Sequence, residues 1–159
     1  MKSLIICASA SHGNTRRVAD RMAEVLHADV VAPEDVVAED IGEYDLVGFG
    51  SGIYFMAVHP SLSRVVSDLP HVDGVAAFTF FTSGAPELPV IGYSKRIRDE
   101  LAAKGFRDLG TFSCRGWDTV GPLRFVGGVN RGRPDAGDLD NAAAFATRMR
   151  DQVVRTGGT

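Results

Sequence analysis

A chain of 159 residues, 45% hydrophobic and 23% charged, has the size and balance of one soluble globular domain and excludes the disordered and fibrous classes. No apolar stretch approaches the roughly 20 residues of a membrane helix, and the N-terminus lacks the long apolar core and small-residue cleavage site of a signal peptide, so no membrane span and a cytoplasmic location are expected. A net charge of −3 argues against nucleic acid as a main partner, and Cys7 and Cys114, the only cysteines, are expected to be free thiols with no part in metal binding.

Five β-rich runs alternate with five helical stretches, the signature of a parallel sheet covered by helices on both faces. The runs are Lys2 to Cys7, Ala28 to Ala32, Leu46 to Gly50, Val75 to Phe81 and Arg107 to Cys114, most with the continuous apolar character of strands buried on both sides. The spacing of Val18, Met22, Val25 and Leu26 predicts a helix from about Asn14 to Leu26. Residues 33 to 45 are acidic, with Glu34, Asp35, Glu39, Asp40, Glu43 and Asp45, and their helical content is the weakest. Pro60 opens a helix whose Leu62, Val65, Val66 and Leu69 form a buried stripe, and Pro70 ends it. Ile91, Ser94, Ile97 and Leu101 mark the next, with Gly105 as its C-terminal cap. In the last, Asp138 is the candidate N-cap and Leu139, Ala142, Phe145, Ala146, Met149 and Val153 give the apolar face. One irregular stretch, Arg115 to Gly137, interrupts the pattern. Loops of that length in compact domains are usually functional or disordered.

In open α/β sheets ligands bind beyond the carboxyl ends of the strands, where the strand order reverses. The first such end carries Ser9, Ser11, His12, Gly13, Asn14 and Thr15, which are hydroxyls and amides at a helix N-terminus with no carboxylate among them. Unpaired N–H groups and the positive end of the helix dipole suit a phosphate there. The second end, "GFGSGIYFMAVHPSL", combines Gly50 and Gly52, which leave room for a ligand, with Tyr54 and Phe55, which offer flat apolar surface. The third, "FFTSGAPELP", presents Thr82, Ser83, Gly84 and Ala85. The Walker pattern and the GxGxxG fingerprint are absent. A low-molecular-weight tyrosine phosphatase would need Arg six positions after Cys7, where Gly13 stands, and a response-regulator receiver would need acids where Ser9, Gly50 and Ser51 stand.

On these residues the sequence resembles the flavodoxin-like family across nearly its whole length. "SASHGNTRRVA" is similar to the family's phosphate-binding turn, "GSGIYF" and "TSGAP" stand at its two ring-contacting loops, and "FSCRGWDTVGPL" with "GGVNRGRPDAGDL" resembles the C-terminal part of a short subfamily. The resemblance implies a three-layer α/β sandwich with a five-stranded parallel sheet in the order 2-1-3-4-5, and noncovalent FMN. It places Ser9, Ser11, Gly13, Asn14 and Thr15 on the phosphate, with His12 beside them. Ser51, Gly52, Ile53, Tyr54 and Phe55 would border the ring on one side, and Thr82, Ser83 and Gly84 on the other. The chain departs from the family pattern in having His12 where a small residue is usual and no aromatic near Thr82 to Ala85, which makes Trp117 the candidate for the second cover. The function implied is an electron carrier between redox protein partners. The alternative is an NAD(P)H-dependent FMN reductase of quinones or similar acceptors, with Arg115, Arg124, Arg131 and Arg133 available to nucleotide phosphates. A flavin-free interaction module is the third class.

Overall fold

A computed structural model describes residues 1–10, 12–85, 92–119 and 125–157. Five parallel strands form the sheet: β1 (Ser3–Ala8), β2 (Asp29–Val31), β3 (Leu46–Tyr54), β5 (Ala76–Ser83) and β6 (Arg107–Arg115). Their order is β2-β1-β3-β5-β6, and a two-residue antiparallel strand, β4 (Ala57–Val58), folds back on the end of β3. Counting the parallel strands alone, this is the order 2-1-3-4-5 that the family resemblance implies. The chain leaves β1 for β2 on one side and returns to β3 on the other, so the strand order reverses between β1 and β3.

The helices are α1 (Asn14–Leu26), α2 (Pro60–Asp68), α3 (Tyr93–Ala103) and α4 (Ala136–Thr156). The period-2 alternation of the strands sorts their side chains into two cores. Ile5, Phe78 and Phe80 face Val18 and Met22 of α1 and Phe145 and Met149 of α4. Leu4, Ile6, Val47 and Phe49 face Leu62 and Val66 of α2 and Ile97 and Leu101 of α3. Phe49, Phe78, Phe80 and Phe81 are almost wholly buried, each contributing roughly 1.5 to 3 kcal/mol by leaving water.

Three expectations change. Residues 33 to 45 form two short 3-10 turns, Pro33–Asp35 and Ala38–Glu43, in which Pro33 and Ile41 are buried while Glu34, Asp35, Glu39, Asp40, Glu43 and Asp45 are exposed. The third strand does not stop at Gly50 but runs to Tyr54. Gly50 serves the core rather than a ligand, since a Cβ there would overlap the Phe80 ring, as one at Gly48 would crowd Phe78. The N-cap of α4 is Asp135, not Asp138. Its carboxylate accepts the Asp138 N–H at 2.9 Å while Asp138 accepts the Asp135 N–H at 2.9 Å, a reciprocal capping box in which Asp138 sits one turn inside.

Parallel register aligns the strand ends. Ala8 lies beside Ser51, Gly52 beside Thr82, and Ser83 beside Arg115. The four ends therefore deliver their following loops to one edge of the sheet.

Candidate functional site

The loop from β1 to α1 is built around two consecutive left-handed residues, His12 (φ 52°) and Gly13 (φ 65°). Gly13 caps α1 without a side-chain hydrogen bond, and the Ser9 hydroxyl accepts the N–H of Arg16 at 3.2 Å. The first-turn N–H groups of Asn14 and Thr15 have no intrahelical acceptor by position, and no acid occupies that turn. Main-chain donors at the positive end of a helix thus surround the loop, the chemistry that holds an anion.

The side chains of this loop turn toward the strand ends. Thr15 Oγ1 shares a hydrogen bond of 2.8 Å with Thr82 Oγ1, and Asn14 Nδ2 donates to the carbonyl of Trp117 at 2.8 Å. His12 stacks on Trp117 with ring centroids 4.1 Å apart and 22° between the planes, and its Nε2 lies 2.7 Å from Thr119 Oγ1. Asn14, Thr15 and His12 consequently tie the loop to β5 and to the segment after β6, and the first-turn N–H groups of Asn14 and Thr15 are the donors that a ligand could meet. Ser11 lies outside the described residues.

A cleft opens where these ends meet, lined by Gly52, Ile53 and Tyr54 from β3, Thr82, Ser83 and Gly84 from β5, and Asn14, Gly116, Trp117 and Asp118. It is open to solvent but narrow, with room of about 20 Å³, space for about one water molecule. The side chains over its glycines account for the narrowness. Tyr54 Oη stands 2.7 Å from where a Gly52 Cβ would be, Asp118 takes the corresponding space at Gly84, and Asn14 Nδ2 lies 2.8 Å from that at Gly116. The Tyr54 hydroxyl also accepts the Ala10 N–H at 3.3 Å, so a phenol oxygen engages one amide of the β1–α1 loop.

Two expected site residues lie elsewhere. Ser51 is fully buried, and its hydroxyl donates to the Gly52 carbonyl at 2.6 Å and accepts the His59 N–H at 2.9 Å, fastening β3 to the start of α2. Phe55 sits with Met56 in the two-residue turn between β3 and β4, both in left-handed backbone (φ 48° and 64°) and exposed by 85% and 64%. Gly116 and Asp118 enter the cleft without having been singled out as ligand residues; their place directly after a strand end was the available signal.

The described residues of the irregular stretch, 115–119 and 125–137, are held by specific contacts. Trp117 donates from its main chain to the Arg133 carbonyl and from Nε1 to Gly127, both at 3.1 Å. Asp118 pairs with Val129 as an antiparallel bridge, and Asn130 Nδ2 donates to the Gly84 carbonyl at 2.8 Å. Arg133 donates to Asp138 at 2.6 Å and pairs with Asp135 at 3.3 Å. The Asp138 N–H holds the Asp135 carboxyl below its usual range, and the Asp138 carboxylate raises Arg133. Arg131 lies 5.9 Å from the Trp117 ring, a cation over an aromatic face. Arg124 lies outside the described residues. Both cysteines are free, and burial pushes each thiol up to about 12. Among the described residues no cluster of three metal-ligating side chains occurs, and no helix is long and apolar enough to cross a membrane.

A parallel α/β sheet whose strand ends frame a glycine-lined cleft beside a helix N-terminus defines a class of ligand-binding domain. Residues 5–84 match the flavodoxin domain family, and the chain belongs to it. It is 39% identical over 146 residues to an uncharacterized protein of Methanocaldococcus jannaschii, covering 92% of this chain and 96% of that one. Among solved structures it is similar to the flavodoxin of Streptococcus pneumoniae, at 16% identity and a TM-score of 0.73 over 96% of this chain and 99% of that one. It is also similar to a WrbA-like flavodoxin of Agrobacterium tumefaciens, at 13% identity and a TM-score of 0.67 over 98% and 99%. Likenesses at these identities show the fold alone.

Proposed function

We propose that the cleft holds FMN noncovalently and that the protein carries electrons between protein partners. Bound FMN would supply redox chemistry that no side chain here has. The observation that carries the reading is the meeting of two features at one sheet edge: main-chain donors at the start of α1, whose first turn holds no acid, and a cleft lined by Gly52, Gly84 and Gly116. The donor set fits a phosphate, and the glycines fit the close approach of a planar ring once Tyr54, Asp118 and Asn14, which stand over them, move aside. Tyr54 and Trp117 are the walls that would have to move: Tyr54 would give up its hydrogen bond to Ala10 among its contacts, and Trp117 its stack on His12, its Nε1–H bond to the Gly127 carbonyl and the Arg131 guanidinium over its ring. Asp118 would set a carboxylate near the ring and so disfavour added negative charge there.

Carriage between proteins is favoured over nucleotide-dependent reduction by the state of the arginines. Arg133 is neutralised by Asp135 and Asp138, and Arg131 lies over Trp117, so two of the cations suited to a dinucleotide are engaged. Phe55 and Met56 project apolar surface next to Tyr54, which suits a transient protein contact. The test is to load the protein with FMN and mix it anaerobically with NADPH. A flavin that stays oxidised with NADPH but is bleached by a reduced protein donor is expected; rapid bleaching by NADPH alone would assign a reductase instead.

A further inference from the structure

A cavity of about 290 Å³ lies between the end of β1, the residues that follow β2 and the start of α2, and it shares no lining residue with the cleft. Its volume falls just short of the range of sites that bury a drug-sized ligand, so its occupant is small. Among the residues that line it only Glu34 is charged. Glu34 stands exposed in the Pro33–Asp35 turn just after β2, and its carboxylate has no hydrogen bond or ion pair among the described residues. A free carboxylate repels an anion and leaves neutral or cationic ligands.

The other polar groups of the lining decide between them. The Ser61 N–H donates to His59 Nδ1 at 3.3 Å, so that nitrogen is an acceptor, and the Ser61 hydroxyl, 2.7 Å away, donates to it as well. In the neutral ring the proton then stands on Nε2, which has no partner among the described residues. The imidazole and the Tyr54 ring meet edge to face, 5.8 Å between centroids, which helps to fix its orientation. Ser9 Oγ accepts the Arg16 N–H at 3.2 Å, and its own proton remains to be given. The lining thus sets donors of His59 and Ser9 beside the acceptor Glu34. A cation answers only the acceptor. A hydroxyl both donates and accepts, and two on adjacent carbons can meet both oxygens of one carboxylate. In dinucleotide-binding α/β folds an acidic residue beyond the phosphate-binding turn holds a ribose hydroxyl in this manner.

We propose that this cavity binds the vicinal diol of a single sugar ring of the ribofuranose type, its hydroxyls donating to the Glu34 carboxylate and accepting from His59 Nε2–H and the Ser9 hydroxyl. The assignment does not rest on the flavin reading. Methyl β-D-ribofuranoside is the probe and its 2-deoxy counterpart, which lacks the diol, is the control, each titrated into the flavin-free chain while backbone amide shifts are followed by NMR. The riboside is expected to move the amides of Ala10, Ala32, Glu34 and Ser61 to saturation, with the 2-deoxy compound about tenfold weaker or more. Glu34→Ala, a change at an exposed position, should lower the riboside affinity by about the same factor and the 2-deoxy affinity by less. The two glycosides on the wild type decide the matter by themselves, so the test stands whatever the variant does to the fold. Equal binding of the two, shifts centred on other residues, no saturation within the solubility of the riboside, unchanged riboside affinity in a folded Glu34→Ala chain, or tighter binding of methylammonium at the same amides would each overturn the proposal.

Discussion

His12 and Trp117 stack face to face, 4.1 Å between ring centroids, and thereby join the β1–α1 loop to the segment after β6. The histidine stands where a phosphate-binding loop would carry a small residue, and its ring is committed to Trp117 and Thr119 rather than to an anion. His12→Ala should therefore act on Trp117, the chain's single tryptophan. Its emission should shift to the red as the ring gains solvent, while the ratio of FMN to riboflavin affinity stays within about twofold of wild type, since that ratio reads the phosphate contact. A tenfold fall in the ratio would put His12 on the phosphate.

Tyr54 makes a contrasting prediction. Its hydroxyl takes the Ala10 N–H that an incoming phosphate could use, while its ring stands beside Gly52. Tyr54→Phe keeps the ring and frees the amide. A neutral hydrogen bond is worth about 0.5 to 1.5 kcal/mol net, so FMN should bind roughly 2 to 10 times more tightly, and riboflavin little differently. Weaker FMN binding would show that the hydroxyl holds the ligand instead of competing with it.

Gly50→Ala tests the structural account of the β3 glycines. The added methyl meets the Phe80 ring, which is fully buried and has no room to withdraw. Overpacking of this kind typically costs 1 to 3 kcal/mol, to be read as a lower urea midpoint with an unchanged slope. Unchanged stability would mean that the sheet yields there.

The thiols give a pH dependence. Burial pushes Cys7 and Cys114 up to about 12, from an ordinary value near 8.5. Groups that hold a proton more tightly in the folded state contribute stability that is complete below the unfolded value and is lost as pH rises toward 12. Native protein should thus leave both cysteines unreactive toward a thiol reagent at pH 8, and its urea midpoint should decline above about pH 9. Cys7→Ala should decline less steeply over the same range. A fast-reacting thiol in the native state would contradict the assignment.

Much of the architecture was legible because buried parallel strands announce themselves as apolar runs. The limits of α1 follow from the spacing of Val18, Met22 and Leu26, and α2 from Pro60 and its stripe. The end of β3 was not legible. "GSGIY" reads as a loop on local propensity, yet pairing of Gly52 with Thr82 and of Tyr54 with Ala57 keeps it extended. The cap of α4 was misplaced for a related reason: Asp135 and Asp138 are both good caps, and only the geometry shows which stands outside the helix. At the cleft, sequence order identified the three loops that converge. It carried no trace of the side chains that close them, since the Thr15–Thr82, Asn14–Trp117 and Tyr54–Ala10 contacts join positions 44 to 103 residues apart.

The central claim is that the β1–α1 loop holds the phosphate of a flavin whose ring lies in the cleft. The most direct measurement is titration of flavin-free protein with FMN, with riboflavin in parallel, read by flavin quenching and by Trp117 emission. Saturable quenching by FMN, with riboflavin about tenfold weaker or more and Trp117 responding as the wall opens, is the predicted result. Equal affinity for the two would remove the phosphate from the loop, and no quenching by either would leave the fold without the cofactor.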